Sequence, residues 1–171
     1  MIMKRRFGFL LCIVVILTAL TIGCGEGKIA EDGDTASVHY TGTLSDGSQF
    51  DSSADREPLE FVLGAGNVIS GFEEAVRGMK VGETKTVTLS PEEAYGPYYD
   101  ELLIEFSRDE LPEGFEPHAG QYLELTTGSG QTVQKPIVEV TETYIVVDVN
   151  HELAGKELTF EIELVQLETA E

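Results

Sequence analysis

Hydrophobic and polar positions change their period several times along the chain, and each change predicts an element. From Thr35 to Leu44 the period is two: Val38, Tyr40 and Leu44 share one face, and Ser37, His39 and Thr43 share the other. Alternation of this kind predicts a half-buried strand. Asp46-Gly47 marks a turn, and shorter strands are expected at Gln49 to Ser52 and Leu59 to Leu63. The spacing then becomes helical, with Phe72, Ala75, Val76 and Met79 on one stripe. Ser70 and Glu73 have the spacing of a capping box, and Gly78 and Gly82 fit the helix end. Glu83 to Leu89 alternates again. Ser90-Pro91-Glu92-Glu93 opens a second helical turn that Tyr95-Gly96-Pro97 cuts short.

The cleanest strand lies near the end of the chain. Leu158, Phe160, Ile162 and Leu164 face one way, and Glu157, Thr159, Glu161 and Glu163 the other. Between the two patterned regions lie strands expected at Leu102 to Phe106, Tyr122 to Thr127, Thr132 to Val140 and Tyr144 to Val149, with a short helix at Arg108 to Glu113. A structureless loop of that length inside a compact domain would be unusual, so the segment reads as a unit of its own. The expected division is a signal at 1–23, a linker at 24–33, a first domain part at 34–96, an inserted domain at 97–149 and a second part at 150–168. The expected class is α+β: an antiparallel sheet wrapped on one short helix, with a small, mainly β insert.

The N-terminus follows a different rule. Lys4, Arg5 and Arg6 precede Phe7 to Gly25, a stretch without charge. A basic start followed by an apolar run reads as an export signal. Gly23 directly before Cys24 resembles a lipobox, which makes Cys24 the expected lipidation site. Thr21 stands where Leu is more usual. The run is also long enough to span a bilayer uncleaved, so a single transmembrane anchor remains the alternative. Either reading places the domain at the extracytoplasmic face of a membrane. Cys12 lies inside this segment and Cys24 is the other cysteine, so no disulfide is expected within the folded part. The net charge of -20 disfavours nucleic acid as a partner. The three histidines show no metal-ligand spacing, so neither metal nor cofactor is expected.

The chain resembles the FKBP-type peptidyl-prolyl isomerases. The likeness runs through Val38-His39-Tyr40-Thr41-Gly42, Gly47 to Ser53, Phe61-Val62-Leu63-Gly64 and Val68 to Glu73. It continues through Gly78-Met79, Val81-Gly82-Glu83 and Ala94-Tyr95-Gly96, and ends in Leu158 to Leu164. An insertion directly after Tyr95-Gly96, closing at Asn150 to Gly155, resembles the SlyD-like branch, in which an insert-in-flap domain replaces the tip of the flap. The sequence reaches Glu171 without the His/Cys-rich tail of some relatives, so nickel handling is not carried over.

The resemblance implies a proline cleft lined by Phe50, Leu59, Val68, Ile69, Phe72 and Phe160, with Phe72 as its floor where many relatives carry Trp or Leu. It implies roles in catalysis for Tyr40, Asp51 and Tyr95: Tyr95 as donor to the substrate carbonyl, Asp51 as a group that orients or polarises the twisted amide. Rotation about an X-Pro bond must break amide resonance, against a barrier of about 20 kcal/mol. An apolar cleft favours the twisted amide because that form is less dipolar, so the chemistry needs no nucleophile, metal or cofactor. The expected partners are unfolded or partly folded proline-containing polypeptides, and the protein is expected to be a monomer. A non-catalytic, membrane-tethered holdase on the same fold is the competing reading. Metal delivery is a third, for which the chain offers no evident ligands. The insert's apolar residues, Ile137 to Val149 with Tyr98, Tyr99 and Leu102 to Ile104, fit either a surface for unfolded chains or a core of its own.

Overall fold

The computed structural model describes residues 27–169. The expected signal, Cys12 and Cys24 lie outside them. Two antiparallel sheets organise the described residues. The first is built from β1 (Thr35–Leu44), β2 (Gln49–Ser52), β3 (Leu59–Val62), β4 (Thr84–Leu89) and β9 (Leu158–Glu168), in the order β2-β1-β9-β4, with β3 also paired to β1. The second comprises β5 (Leu103–Ser107), β6 (Tyr122–Thr126), β7 (Thr132–Val140) and β8 (Tyr144–Asp148), in the order β5-β8-β7-β6. One short helix, α1 (Ser70–Val76), packs on the first sheet. The fold is α+β.

β9 is central because it pairs along one edge with β1 and along the other with β4. Its alternation is realised residue by residue. Leu158, Phe160, Ile162 and Leu164 are buried, and Glu161 and Glu163 are exposed. Together with Ala36 and Val38 of β1, Phe61, Leu63, Leu89, and Phe72, Ala75, Val76 and Met79 from the helix and its end, they form one apolar core. The pairing shifts register between Ser37 and Val38, where β9 carries an extra residue at Val165. The second sheet has a smaller centre, Ile137, Ile145 and Val147, flanked by half-buried residues such as Phe106, Phe115, Leu123 and Leu125.

Three expectations need correction. Ser70 is not an N-cap. Ile69 holds that position and Ser70 is the first helical residue, its hydroxyl donating to the Glu93 carbonyl at 3.2 Å. The Glu73 carboxylate is drawn instead to the backbone N–H groups of Gly64 and Gly66. The capping box forms after β4, between Ser90 and Glu93 at the short 3-10 turn Pro91–Glu93. The helix expected over Arg108 to Glu113 is a 3-10 turn of Arg108–Glu110, because Pro112 disfavours helical backbone at Leu111. The expected linker is not free up to Gly33. Ala30 is 1% exposed and exchanges backbone hydrogen bonds with Gly78 and Met79, so chain packing on the core begins before Asp34.

Candidate active site

The concave side of the first sheet holds a cavity of about 400 Å³. β1 contributes Tyr40. β2 contributes Phe50 and Asp51, and β3 contributes Leu59. The loop before α1 contributes Asn67, Val68 and Ile69, α1 contributes Phe72, β9 contributes Phe160, and Tyr95 closes the rim. Every residue expected from the sequence to line or serve the cleft is therefore at this cavity.

Four aromatic rings define its shape. Phe72 sits edge-on to Phe160 at 5.2 Å and to Tyr40 at 5.6 Å, and Phe50 sits edge-on to Phe160 at 5.6 Å. Edge-to-face contacts of this kind place positive ring edges against negative faces and hold each ring in one orientation. The wall is therefore rigid as well as apolar. Phe72 is 3% exposed, and so belongs to the core and to the cavity floor at once. Gly42 makes room for the Phe50 ring, since a Cβ at that position would stand 2.6 Å from Phe50 Cζ.

The polar side of the cavity is fully engaged. The Tyr40 hydroxyl donates to Asp51 Oδ2 at 2.5 Å. Asp51 Oδ1 accepts from Arg56 at 2.6 Å and from the Ser52 N–H at 2.8 Å. The Tyr40 bond, with help from Ser52 and Arg56, holds the Asp51 carboxyl below the usual carboxylate range despite its partial burial. Burial, then the bond to Asp51, pushes the Tyr40 phenol up. Asp51 thus stands as a fixed anion, with Oδ1 accepting two hydrogen bonds and Oδ2 accepting one.

Tyr95 is different. Its side chain is 39% exposed, and among the described residues its hydroxyl makes no hydrogen bond, leaving it open to a ligand carbonyl. The His151 ring lies parallel to it, with centroids 4.0 Å apart and planes at 3°. Loop placement on the opposite wall depends on Glu73, whose carboxylate accepts from Gly64 at 3.0 Å and Gly66 at 3.2 Å and so ties down the approach to Val68 and Ile69.

Asn67, Arg56 and His151 were not expected. Asn67 and Arg56 carry no signal in spacing or period, because their positions depend on how two loops close. His151 does carry one. An insert's two ends must meet, so the residue just after it lies beside Tyr95, just before it. Among the described residues no cluster of His, Cys, Asp or Glu is arranged to hold a metal ion.

The fold and this aromatic cavity define a class, and comparison with known proteins agrees. Residues 26–165 match the family described as FKBP-type peptidyl-prolyl cis-trans isomerase, and the chain belongs to that family. Within it the chain is SlyD-like. The FKBP-type peptidyl-prolyl cis-trans isomerase SlyD of Helicobacter pylori is 41% identical over 115 residues, covering 67% of this chain and 62% of the relative. The short-type peptidyl-prolyl cis-trans isomerase of Methanocaldococcus jannaschii is 44% identical over 116 residues, covering 67% of this chain and 71% of the relative. The chain thus spans somewhat less than two thirds of the first relative's length. The crystal structure of FkpA from Escherichia coli aligns over 86% of this chain and 46% of that one, with a TM-score of 0.47 at 27% identity.

Proposed function

We propose that this protein is a peptidyl-prolyl cis-trans isomerase that also holds unfolded chains, and that it acts on exported proteins as they fold. The observation that carries the catalytic reading is the aromatic cavity itself. It is apolar on the floor, has a fixed anion and phenol on one side, and offers an unengaged hydroxyl at the rim. A proline ring fits such a floor. Moving the amide out of water removes the solvent that favours its planar, more dipolar form, and lowers part of the barrier to rotation. Tyr95 supplies a donor for a carbonyl that turns toward the rim. The relatives' names support the same activity.

Support for the holding role comes from the second sheet. Tyr98, Tyr99, Leu102, Ile104, Tyr122 and Val138 are large apolar side chains left exposed there or on its connector. Exposed apolar surface of this kind is what a passing unfolded segment needs. Membrane tethering at the outer face rests on the sequence alone: the basic start, the uncharged run and Cys24. Among the described residues no helix is long and apolar enough to cross a membrane.

Refolding of a protein limited by proline isomerisation, measured beside cis-trans exchange in a short proline peptide, tests the proposal. Acceleration of both supports it. Suppressed aggregation with no acceleration of either would leave the holdase alone. Mass spectrometry of the N-terminus tests the tether: a diacylated Cys24 supports it, and an unmodified, cleaved terminus opposes it.

A further inference from the structure

Two connectors join the sheets, one running from Gly96 to Leu102 and the other from Val149 to Glu157. Backbone bonds cross between them at only two places among the described residues. The Gly155 N–H donates to the Gly96 carbonyl at 2.8 Å, and the Val149 N–H to the Leu102 carbonyl at 3.0 Å. At the first crossing the chains approach so closely that a Cβ on Gly155, already at φ +72°, would stand 2.9 Å from Tyr98 Cβ.

Between these crossings a side chain takes the place of a strand. Asn150 is 5% exposed. Its Oδ1 accepts the Tyr99 N–H at 3.0 Å, and its Nδ2 donates to the Tyr99 carbonyl at 2.9 Å. One amide therefore occupies both polar groups of one residue's backbone on the opposite connector. The same Nδ2 donates to Asp148 Oδ1 at 2.8 Å, at the end of β8. The other Asp148 oxygen accepts the Tyr98 hydroxyl at 2.9 Å. The Asn150 carbonyl accepts from Lys135 Nζ of β7 at 2.8 Å. Both connectors and two strands of the second sheet thus meet at one residue.

We propose that Asn150 is a positioning residue that fixes the direction in which the second sheet stands beside the proline cavity, so that one polypeptide engages both. This rests on the isomerase-and-holdase reading above. When one flexible chain occupies two sites, the second contact is effectively intramolecular, and its strength depends on how narrowly the sites are held apart. An apolar side chain at 150 would strand the Tyr99 N–H and leave the Tyr99 carbonyl only the Leu102 N–H at 3.1 Å, so the tie between the connectors at Tyr99 would be lost. The chemistry at the cavity does not run through Asn150. Tyr95 is stacked on His151, and His151 is held by the Leu153 N–H on its Nδ1 at 3.1 Å and by the nearby Gly155–Gly96 crossing.

The test uses the full chain with Cys12 and Cys24 replaced by serine, and spin labels placed through Glu60→Cys on β3 and Glu124→Cys on β6, both exposed positions. In Asn150→Ala the label–label distance distribution is expected to broaden. The KM for a proline-limited unfolded protein is expected to rise about tenfold with kcat held, while kcat/KM on a proline tetrapeptide stays within about twofold. An unchanged distribution, or an equal fall on both substrates, overturns the proposal. Asn150→Asp keeps the acceptor for Tyr99 and loses the donor; it decides in the same measurements if the alanine variant does not fold. Should the parent protein fail to isomerise the tetrapeptide, the isomerase reading falls, and the distance distribution still decides whether Asn150 sets the arrangement.

Discussion

Phe72 is the position where the core and the proposed proline site are most tightly joined, and its truncation has a calculable cost. Its ring is 3% exposed and contacts Phe160, Tyr40 and Phe61 at centroid distances of 5.2, 5.6 and 5.9 Å. Removing a buried phenyl ring costs about 3–5 kcal/mol, through lost transfer energy and the space left behind. Each aromatic contact adds about 0.5–1.5 kcal/mol to a ring's burial, so losing three of them places Phe72→Ala toward the upper part of that range. A domain whose whole stability is about 5–15 kcal/mol is then severely weakened, and the alanine variant is a poor probe of catalysis. Phe72→Leu keeps most of the apolar volume, at a cost of roughly 1–2 kcal/mol, and removes the edge-on fit. Urea unfolding measures the first effect, as a shift in midpoint at constant slope. Exchange in a proline tetrapeptide, at a temperature where both variants are folded, measures the second. Phe72→Leu is expected to lose about tenfold in kcat/KM, equivalent to about 1.4 kcal/mol of transition-state stabilisation. A midpoint shift in Phe72→Ala worth less than about 1 kcal/mol would refute the reading of Phe72 as core. Full activity in a folded Phe72→Leu would refute the reading that the edge-on fit of the ring contributes to the transition state.

Three other outcomes follow from the same geometry. Tyr40→Phe removes the leading cause of the lowered Asp51 pKa, so that pKa should rise toward the ordinary carboxylate value in an NMR titration. A depressed carboxylate pKa stabilises the fold above its unfolded value, and that contribution is lost as pH falls through the folded value. The gap between Tyr40→Phe and the parent should therefore be full at neutral pH and close in acid; it should also be small, because the Asp51 side chain is 45% exposed. Gly42→Ala drives a methyl into Phe50 and should cost about 1–3 kcal/mol in thermal or urea unfolding, with a raised peptide KM. Glu73→Ala leaves the Gly64 and Gly66 N–H groups without their acceptor, and should cost about 1–3 kcal/mol and raise KM more than it lowers kcat.

Periodicity carried much of the fold. The alternation of β9 and the helical stripe from Phe72 to Met79 are consequences of burying one face, so they are written in the residues themselves. The capping box was misplaced because Ser70/Glu73 and Ser90/Glu93 have the same local spacing. What separates them is tertiary: two N–H groups from the Gly64–Gly66 turn, and Arg77, compete for Glu73, and among the described residues nothing competes for Glu93. The cavity wall was legible only through family likeness, since Val68, Ile69, Phe72 and Phe160 look like any core residues. The same likeness pointed to Asp51, which lies at the cavity, but its capture by Tyr40 and Arg56 was not legible. That depends on the loop from Ser53 to Pro58 bringing Arg56 back over β2.

The central position of β9 also orders events in time. β1 finds its main partner near the chain's end, with Leu44 opposite Leu158 and Thr35 opposite Glu168. Pairings in the second sheet, such as Tyr122 with Pro136 and Val140 with Ile145, join neighbours in sequence. Closing a long loop costs more entropy than closing a short one, and distant pairings set the pace of folding. A chain threaded through a membrane from its N-terminus would therefore carry β1 and β4 across with the gap between them still unfilled. The core of the first sheet would zip shut only when the last strand arrived.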